Sequence, residues 1–343
     1  MEYSTLSRFR SELMGVAMLW VMLFHANGVG LTFHQPVLDE ILSLGFGGVD
    51  VFILLSAMGL TMSLLSRRQE YGAFLRRRMF RILPAYYAVM LPFTVFFIFY
   101  FGASLSILLW NSTLLYFWVG GNGSFNWYVA GIMLFYFLAP PYVAWLRRRA
   151  HRNAVTLLLI LLSLFVCQIL MYEGYWEYMG FFYRVPVFAL GVLLGFWVKE
   201  EKKITWKDTF FWTLIFILGG IYFYIMHHAI AWGIDRSFPY CHLFLFTTVP
   251  MCFILCLLFA AIPLSPVWKI LAFIGKNSLE IYLLNVSWFS LSDLLMPLFG
   301  LQDHVKLYTL FAFALNIGLG ALLHWCMERI KIKKLNNHKG ELK

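Results

Sequence analysis

Charge is scarce in this chain. Only 13% of its 343 residues are Asp, Glu, Lys or Arg. Soluble domains carry roughly a quarter charged and about half apolar residues. Here 61% are apolar and 19% aromatic, so the polar surface needed to live in water is missing. A soluble domain is excluded, and with it a nucleic-acid partner for the excess of positive charge. Cysteine is sparse as well, at five residues. That odd number (Cys167, Cys241, Cys252, Cys256, Cys326) sits mostly in apolar runs and reads as small buried hydrophobes, not as a disulfide framework. Cys252 and Cys256 are one helical turn apart, but no His or carboxylate accompanies them at ligand spacing, so no metal is expected there. No polar domain, low-complexity tract or internal repeat breaks the pattern.

Long apolar runs fill the space those absences leave. A spanning helix needs roughly 20 mainly apolar residues, and ten stretches qualify: 13–33, 44–65, 83–101, 126–146, 154–172, 183–198, 209–228, 241–262, 279–298 and 306–327. The sixth is short, and 105–118 is apolar but shorter still, which suits an interfacial or re-entrant helix. The fold expected is an all-α, polytopic transmembrane bundle of about ten spans. It forms one domain over 1–330, followed by a basic tail at 331–343. Arginines ahead of the first run resemble a signal peptide, but no small-residue cleavage motif follows promptly, so an uncleaved first helix is expected.

Basic residues orient such a bundle. With both termini in the cytoplasm, all of the 27 basic residues fall inside except Arg184, Arg236 and Lys306. An odd number of spans would put the basic tail outside. The chain is therefore expected in a membrane, with membrane lipids as partners. Asn277 and Glu280 have capping-box spacing, which starts the ninth helix near 278 and leaves 268–275 as an amphipathic lead-in.

Polar groups inside hydrocarbon are costly and point to function. His25 follows an apolar run from Val16 to Phe24, about 18 Å from the cytoplasmic end and so near mid-depth. An imidazole titrates near physiological pH and suits a general base acting on a hydroxyl; the plainer role is a histidine satisfied by a carbonyl or a partner helix. Asp50 lies in the outer part of the second span, with Ser56 deeper; they read equally as a near-surface carboxylate and a serine bonded to its own helix. Arg76, Arg77, Arg78 and Arg81 precede the third span. Such a run serves as a topogenic signal or touches anionic lipid. On a helix, Arg77 and Arg78 share a face with Arg81, and guanidinium groups grip phosphates bidentately. Arg184 starts a helix on the outer side, where it anchors the interface or binds an anionic glycan or phosphate. Asn126, Trp127 and Tyr128, at another outer helix start, are placed to meet and stack on a sugar. His227, His228, Asp235 and His242 cluster in an outer loop without zinc spacing.

Six of these segments, in order, resemble the acyltransferase-3 family of bacterial membrane O-acyltransferases. Leu13 to His25 resembles the family's opening helix with its functional histidine. Gly48-Val49-Asp50 through Ser56 resembles its "GVD-x-F-x-x-x-S" segment. Phe74 to Tyr87 resembles its arginine-rich approach to the third span. Trp127-Tyr128 through Tyr136 and Pro140, Arg184 to Gly191, and Ile274 to Leu284 match three later segments. The resemblance implies acyl-CoA, typically acetyl-CoA, as cytosolic co-substrate, with no bound cofactor. It implies a hydroxyl of a cell-surface or lipid-linked glycan as acceptor. His25 would be base or acyl relay, with Asp50 and Ser56 beside it. Arg10 and the four arginines would hold the donor, and Asn126, Trp127, Tyr128, Arg184 and Asn285 the acceptor.

The chain departs from the pattern at four places. Met14 stands where a cation often lies eleven residues before the histidine, and Arg10, one turn earlier, can reach the same region. Asn285 replaces the histidine that usually ends the late segment. Ile132 and Leu134 replace Glu and Gln. The alternatives are a transporter or flippase with a polar midplane, and a degenerate family member that binds a glycan without catalysis.

Overall fold

In a computed structural model, residues 2–67, 69–120, 127–227, 243–262 and 265–340 are described. They are helical throughout, with one isolated antiparallel bridge between Glu2 and Lys203 and no named strand. In chain order the helices are α1 (Thr5–Arg8), α2 (Arg10–Gly28), α3 (Pro36–Ser43), α4 (Gly48–Ser66) and α5 (Tyr71–Phe101). Then come α6 (Ser106–Thr113), α7 (Tyr116–Gly120), α8 (Trp127–Arg147), α9 (Arg152–Tyr172), α10 (Met179–Phe182) and α11 (Val185–Lys199). The chain finishes with α12 (Trp206–His227), α13 (Leu243–Ala261), α14 (Ser265–Lys276), α15 (Ser278–Ser290), α16 (Ser292–Leu298) and α17 (Val305–Gly340).

Eight helical segments among the described residues are long and apolar enough to cross a membrane. They correspond to eight of the ten expected spans, and the sixth gains length by running from Trp176 to Lys199. The expected span at 279–298 is broken instead, with α15 and α16 bent by 72°. The first expected span is α2, and its Arg10, Glu12, His25 and Asn27 keep it outside the set of eight. Apolar residues pack on all sides of the central helices: over an 18-residue apolar stretch of each, 83% is buried in Trp176–Lys199 and 67% in Gly45–Ser66, against 17% in α9 and 11% in α12. Helices α4 and α11 thus form the core with α2 and α8, while α9, α12 and α17 present apolar side chains outward, as lipid contact requires.

Close approach of α2 and α14 depends on two glycines. A Cβ on Gly15 would lie 2.0 Å from the Leu271 carbonyl oxygen, and one on Gly275 would lie 1.9 Å from that of Ser11. The lead-in at 268–275 is therefore a tightly docked helix with Leu271 and Ile274 buried. The helix after it starts at Ser278, as expected, but the capping box does not form. The Asn277 amide turns back to the Phe273 carbonyl at 2.7 Å, and Glu280 is drawn away by His324 at 3.1 Å.

The basic segments meet at one end of the bundle. The Tyr3 amide donates to the Lys202 carbonyl, and the Tyr3 ring lies against Lys202 and Trp197. Arg152 pairs with Glu200 across the neighbouring connection. At 31 residues and about 46 Å, α5 is longer than a bilayer's hydrocarbon core of about 30 Å. Its arginine-bearing first three turns thus belong to the same helix as the span.

Candidate active site

Arg10, Arg78 and Arg81 line one cavity of about 110 Å³ in the basic half of the bundle. Met14, Ser56, Gly59, Tyr128, Tyr136, Ser278, Leu279 and Tyr282 share its wall with the apolar Val49, Phe52, Leu60 and Ile82. Helix periodicity brings Arg78 and Arg81 of α5 to the same face, and Arg10 enters from the first turn of α2. Gly59 makes room for it: a Cβ there would stand 2.9 Å from an Arg10 terminal nitrogen. Arg10 and Met14 line the same space, so the arginine does reach the region left apolar by Met14. A second and larger recess, of about 660 Å³, is lined by the cations Arg76, Arg77, Arg81 and Lys276, by Glu280, Glu328 and His324, and by Phe80, Pro84, Met327 and Ile330 as its apolar part. Arg81, Ser278 and Leu279 belong to both walls, so the recess adjoins the cavity. The arginine run is thereby divided. Arg78 faces inward, Arg76 faces the recess, and Arg77 donates to Gln69 at the recess edge while Arg81 spans the two.

Asp50 and Arg184 form a second polar cluster. They are only 2% and 5% exposed, with Arg184 Nη2 3.4 Å from Asp50 Oδ2. Arg184 also donates to the Gly180 carbonyl at 3.0 Å and to that of Phe46 at 3.4 Å. Its guanidinium lies 5.1 Å from the Trp127 ring centroid. Arg184 is thus a buried partner of Asp50. It covers Trp127 on one side, and Gly180 lies against the same ring. Tyr128 packs on Tyr282 at 5.0 Å and lines the arginine cavity.

His25 belongs to a third cluster. Because α2 ends at Gly28, the residue stands in the last turn, about 22 Å along the helix from Arg10. His25 is therefore at the end of α2 opposite Arg10. Gly59 lies beside Arg10, Gly48 beside Ala17 and Gly45 beside Trp20, so α2 and α4 are antiparallel and Asp50 is level with the middle of α2. His25 thus lies beyond Asp50, away from the arginines. Asn285 Nδ2 stands 2.5 Å from His25 Nδ1, and Asn316 Nδ2 is 3.4 Å from Asn285 Oδ1. Asn285 is fully buried with both ends of its amide engaged, one of them by His25.

The three residues expected to act together, His25, Asp50 and Ser56, therefore sit in three separate clusters. The clusters are close along α15, where Tyr282 of the cavity and Asn285 of the histidine pair are one turn apart, a rise of about 4.5 Å. Asn126 lies outside the described residues, as do His228, Asp235 and His242. Among the described residues, no group of three or more His, Cys, Asp or Glu is placed to hold a metal. Four residues joined the site unforeseen: Tyr136, Tyr282, Lys276 and Asn316. Asn316 carried a readable signal, as a lone amide between Phe311 and Gly320 in an otherwise apolar span.

No curated protein and no solved structure matches the chain. A family model described as an acyltransferase domain does, over residues 13–325, a range that takes in all three clusters apart from Arg10. The chain is thus a multi-pass membrane acyltransferase and belongs to the acyltransferase-3 family.

Proposed function

We propose that this protein transfers an acetyl or similar short acyl group from cytosolic acyl-CoA to a hydroxyl of a cell-surface or lipid-linked glycan, in the cytoplasmic membrane with both termini inside. The observation that carries the reading is the wall shared by recess and cavity through Arg81, Ser278 and Leu279. A cationic path there leads from the basic end of the bundle into its interior. The donor's phosphates suit Arg76, Arg77 and Lys276 at the mouth, by charge-assisted hydrogen bonds. Arg10, Arg78 and Arg81 extend the positive field inward toward the thioester, and Ser56, Tyr128 and Tyr282 offer it hydroxyls. From Tyr282 the acyl end has one turn of α15 to pass before it meets the His25 and Asn285 pair.

In this proposal the acceptor oxygen attacks the thioester carbon, the C–S bond breaks, and the hydroxyl proton passes through His25 to the departing CoA sulfur. The Asp50 and Arg184 pair holds α4, the Gly180 turn and Trp127 in place between donor and acceptor sides. A transport mechanism built on paired broken helices has one bend to rest on, between α15 and α16, and no second among the described residues.

The test uses membranes holding wild-type or His25→Ala protein and acetyl-CoA labelled in its acetyl group. Label appearing in lipid-linked or surface glycan should fall about 10²- to 10⁴-fold in the variant, the usual worth of a proton-transfer group. Equal incorporation from both would remove His25 from the reaction. No consumption of acyl-CoA by wild type with any glycan fraction would overturn the activity itself.

A further inference from the structure

The amide of Asn285 can meet His25 in only two ways. Its Nδ2 donates to a ring nitrogen that carries a lone pair, or its Oδ1 accepts from a ring nitrogen that carries a proton. Asn316 ties that choice to the orientation of its own amide. Its Nδ2 lies 3.4 Å from Asn285 Oδ1, and with that oxygen taken, the Nδ2 of Asn285 is the end that faces His25 Nδ1 at 2.5 Å. In this arrangement Nδ1 is the lone-pair nitrogen and the proton of the neutral ring sits on Nε2. The other close neighbours cannot reverse this. The rings of Phe24 and Phe289 flank the imidazole at 5.6 and 6.4 Å between centroids, and neither bears a hydrogen-bonding group. Nε2 has no hydrogen-bond partner among the described residues, and the ring is half-buried, so Nε2–H is the edge left for a ligand.

We propose that Asn316 is a positioning residue which, through Asn285, holds His25 as its Nε2–H tautomer in the resting protein. His25 then first meets a substrate oxygen as a hydrogen-bond donor. Base action at Nε2 requires the opposite arrangement, with Nδ1–H donated to Asn285 Oδ1, and so requires both buried amides to turn over together. With Asn285 at 0% and Asn316 at 2% exposure, water offers no substitute partner for either amide. Their two orientations are therefore tied to each other, and the pair acts as a selector of the tautomer. The inference deepens the proposed role of His25 and rests on that reading for its meaning in catalysis, though the tautomer itself can be measured without any substrate.

The experiment is nitrogen NMR on ¹⁵N-histidine-labelled protein in lipid nanodiscs, at a mildly alkaline pH where the ring is neutral. The His25 signals are identified by their loss in His25→Gln. Couplings of the two ring nitrogens to the ring carbon protons tell which one is protonated. Wild type should show a single dominant population protonated at Nε2. Asn316→Leu, which keeps the branching at Cγ and removes the amide, should shift part of that population to Nδ1–H. Asn316→Ala should do the same if the leucine variant does not fold. Wild type protonated at Nδ1, or a folded Asn316 variant with the wild-type tautomer unchanged, would overturn the proposal. The arms separate cleanly from the activity reading: a tautomer as expected, together with full transfer by His25→Ala, would sink the catalytic role and leave the selector standing.

Discussion

Arg184 shows how differently one residue reads before and after its neighbours are known. As a lone cation at an outer helix start it invites an anionic ligand. In the bundle it lies against Asp50, two carbonyls and the face of Trp127. Removing one member of a buried ion pair leaves the other charge without compensation, at a cost of about 3–5 kcal/mol. Arg184→Gln should therefore lower the unfolding free energy by about that amount. Asp50→Asn combined with Arg184→Gln should recover a large part of it, because two neutral amides need no counter-charge. Denaturant titration of the purified protein in mild detergent reads both. If the double variant is no more stable than Arg184→Gln, then the pair is not what holds the two residues in place. Met14 teaches a milder form of the same lesson. Its loss of a cation is answered by Arg10, four residues earlier, over a glycine that leaves space for the guanidinium.

At the scale of elements, the site depends on where α2 is held. That helix carries Arg10 and Met14 at one end and His25 at the other, and α14 fixes it by backbone contact at Gly15 and Gly275. Gly275→Val has no room for its side chain, since even a Cβ would overlap the Ser11 carbonyl. The two helices must separate, and overpacking of this kind costs about 1–3 kcal/mol. The expected result is a lower melting temperature for the detergent-solubilised protein, with transferase activity reduced by more than the loss of folded protein accounts for. Unchanged melting would show that α14 can shift without disturbing α2. Helix α5 makes the complementary point. Its single 31-residue run carries the arginines and the span on one helix, so the 100° turn per residue decides which arginine faces the cavity and which the recess.

The whole molecule separates its charges by end. The N-terminal segment, the Arg152 and Glu200 pair, the arginine cavity and the Lys276 recess lie at one pole, and His25 with its two amides lies beyond Asp50. Assigning the basic pole to the cytoplasm makes a direct prediction. In a cysteine-free background, Glu173→Cys in the α9–α10 connection should react with an impermeant maleimide on intact cells. Arg149→Cys, in the α8–α9 connection, should react only after the membrane is opened. The reverse pattern would turn the bundle over and place the arginines away from cytosolic acyl-CoA.

Composition and order along the chain were enough for the class of the molecule. A charged fraction of 13% leaves no choice but lipid, apolar runs of spanning length set the helices, and six ordered motifs set the family. They were enough because hydrophobicity and helix propensity are sums over neighbouring residues, which a linear reading contains. Partners across helices are not. That Asp50 meets Arg184, that Asn285 turns to His25 under the direction of Asn316, and that Glu280 leaves its cap for His324 depend on which faces of distant helices meet. So does the division of one arginine run between a cavity and a recess. Those contacts arise from crossing angles and close glycine approaches between segments up to hundreds of residues apart, and only the packed bundle decides them.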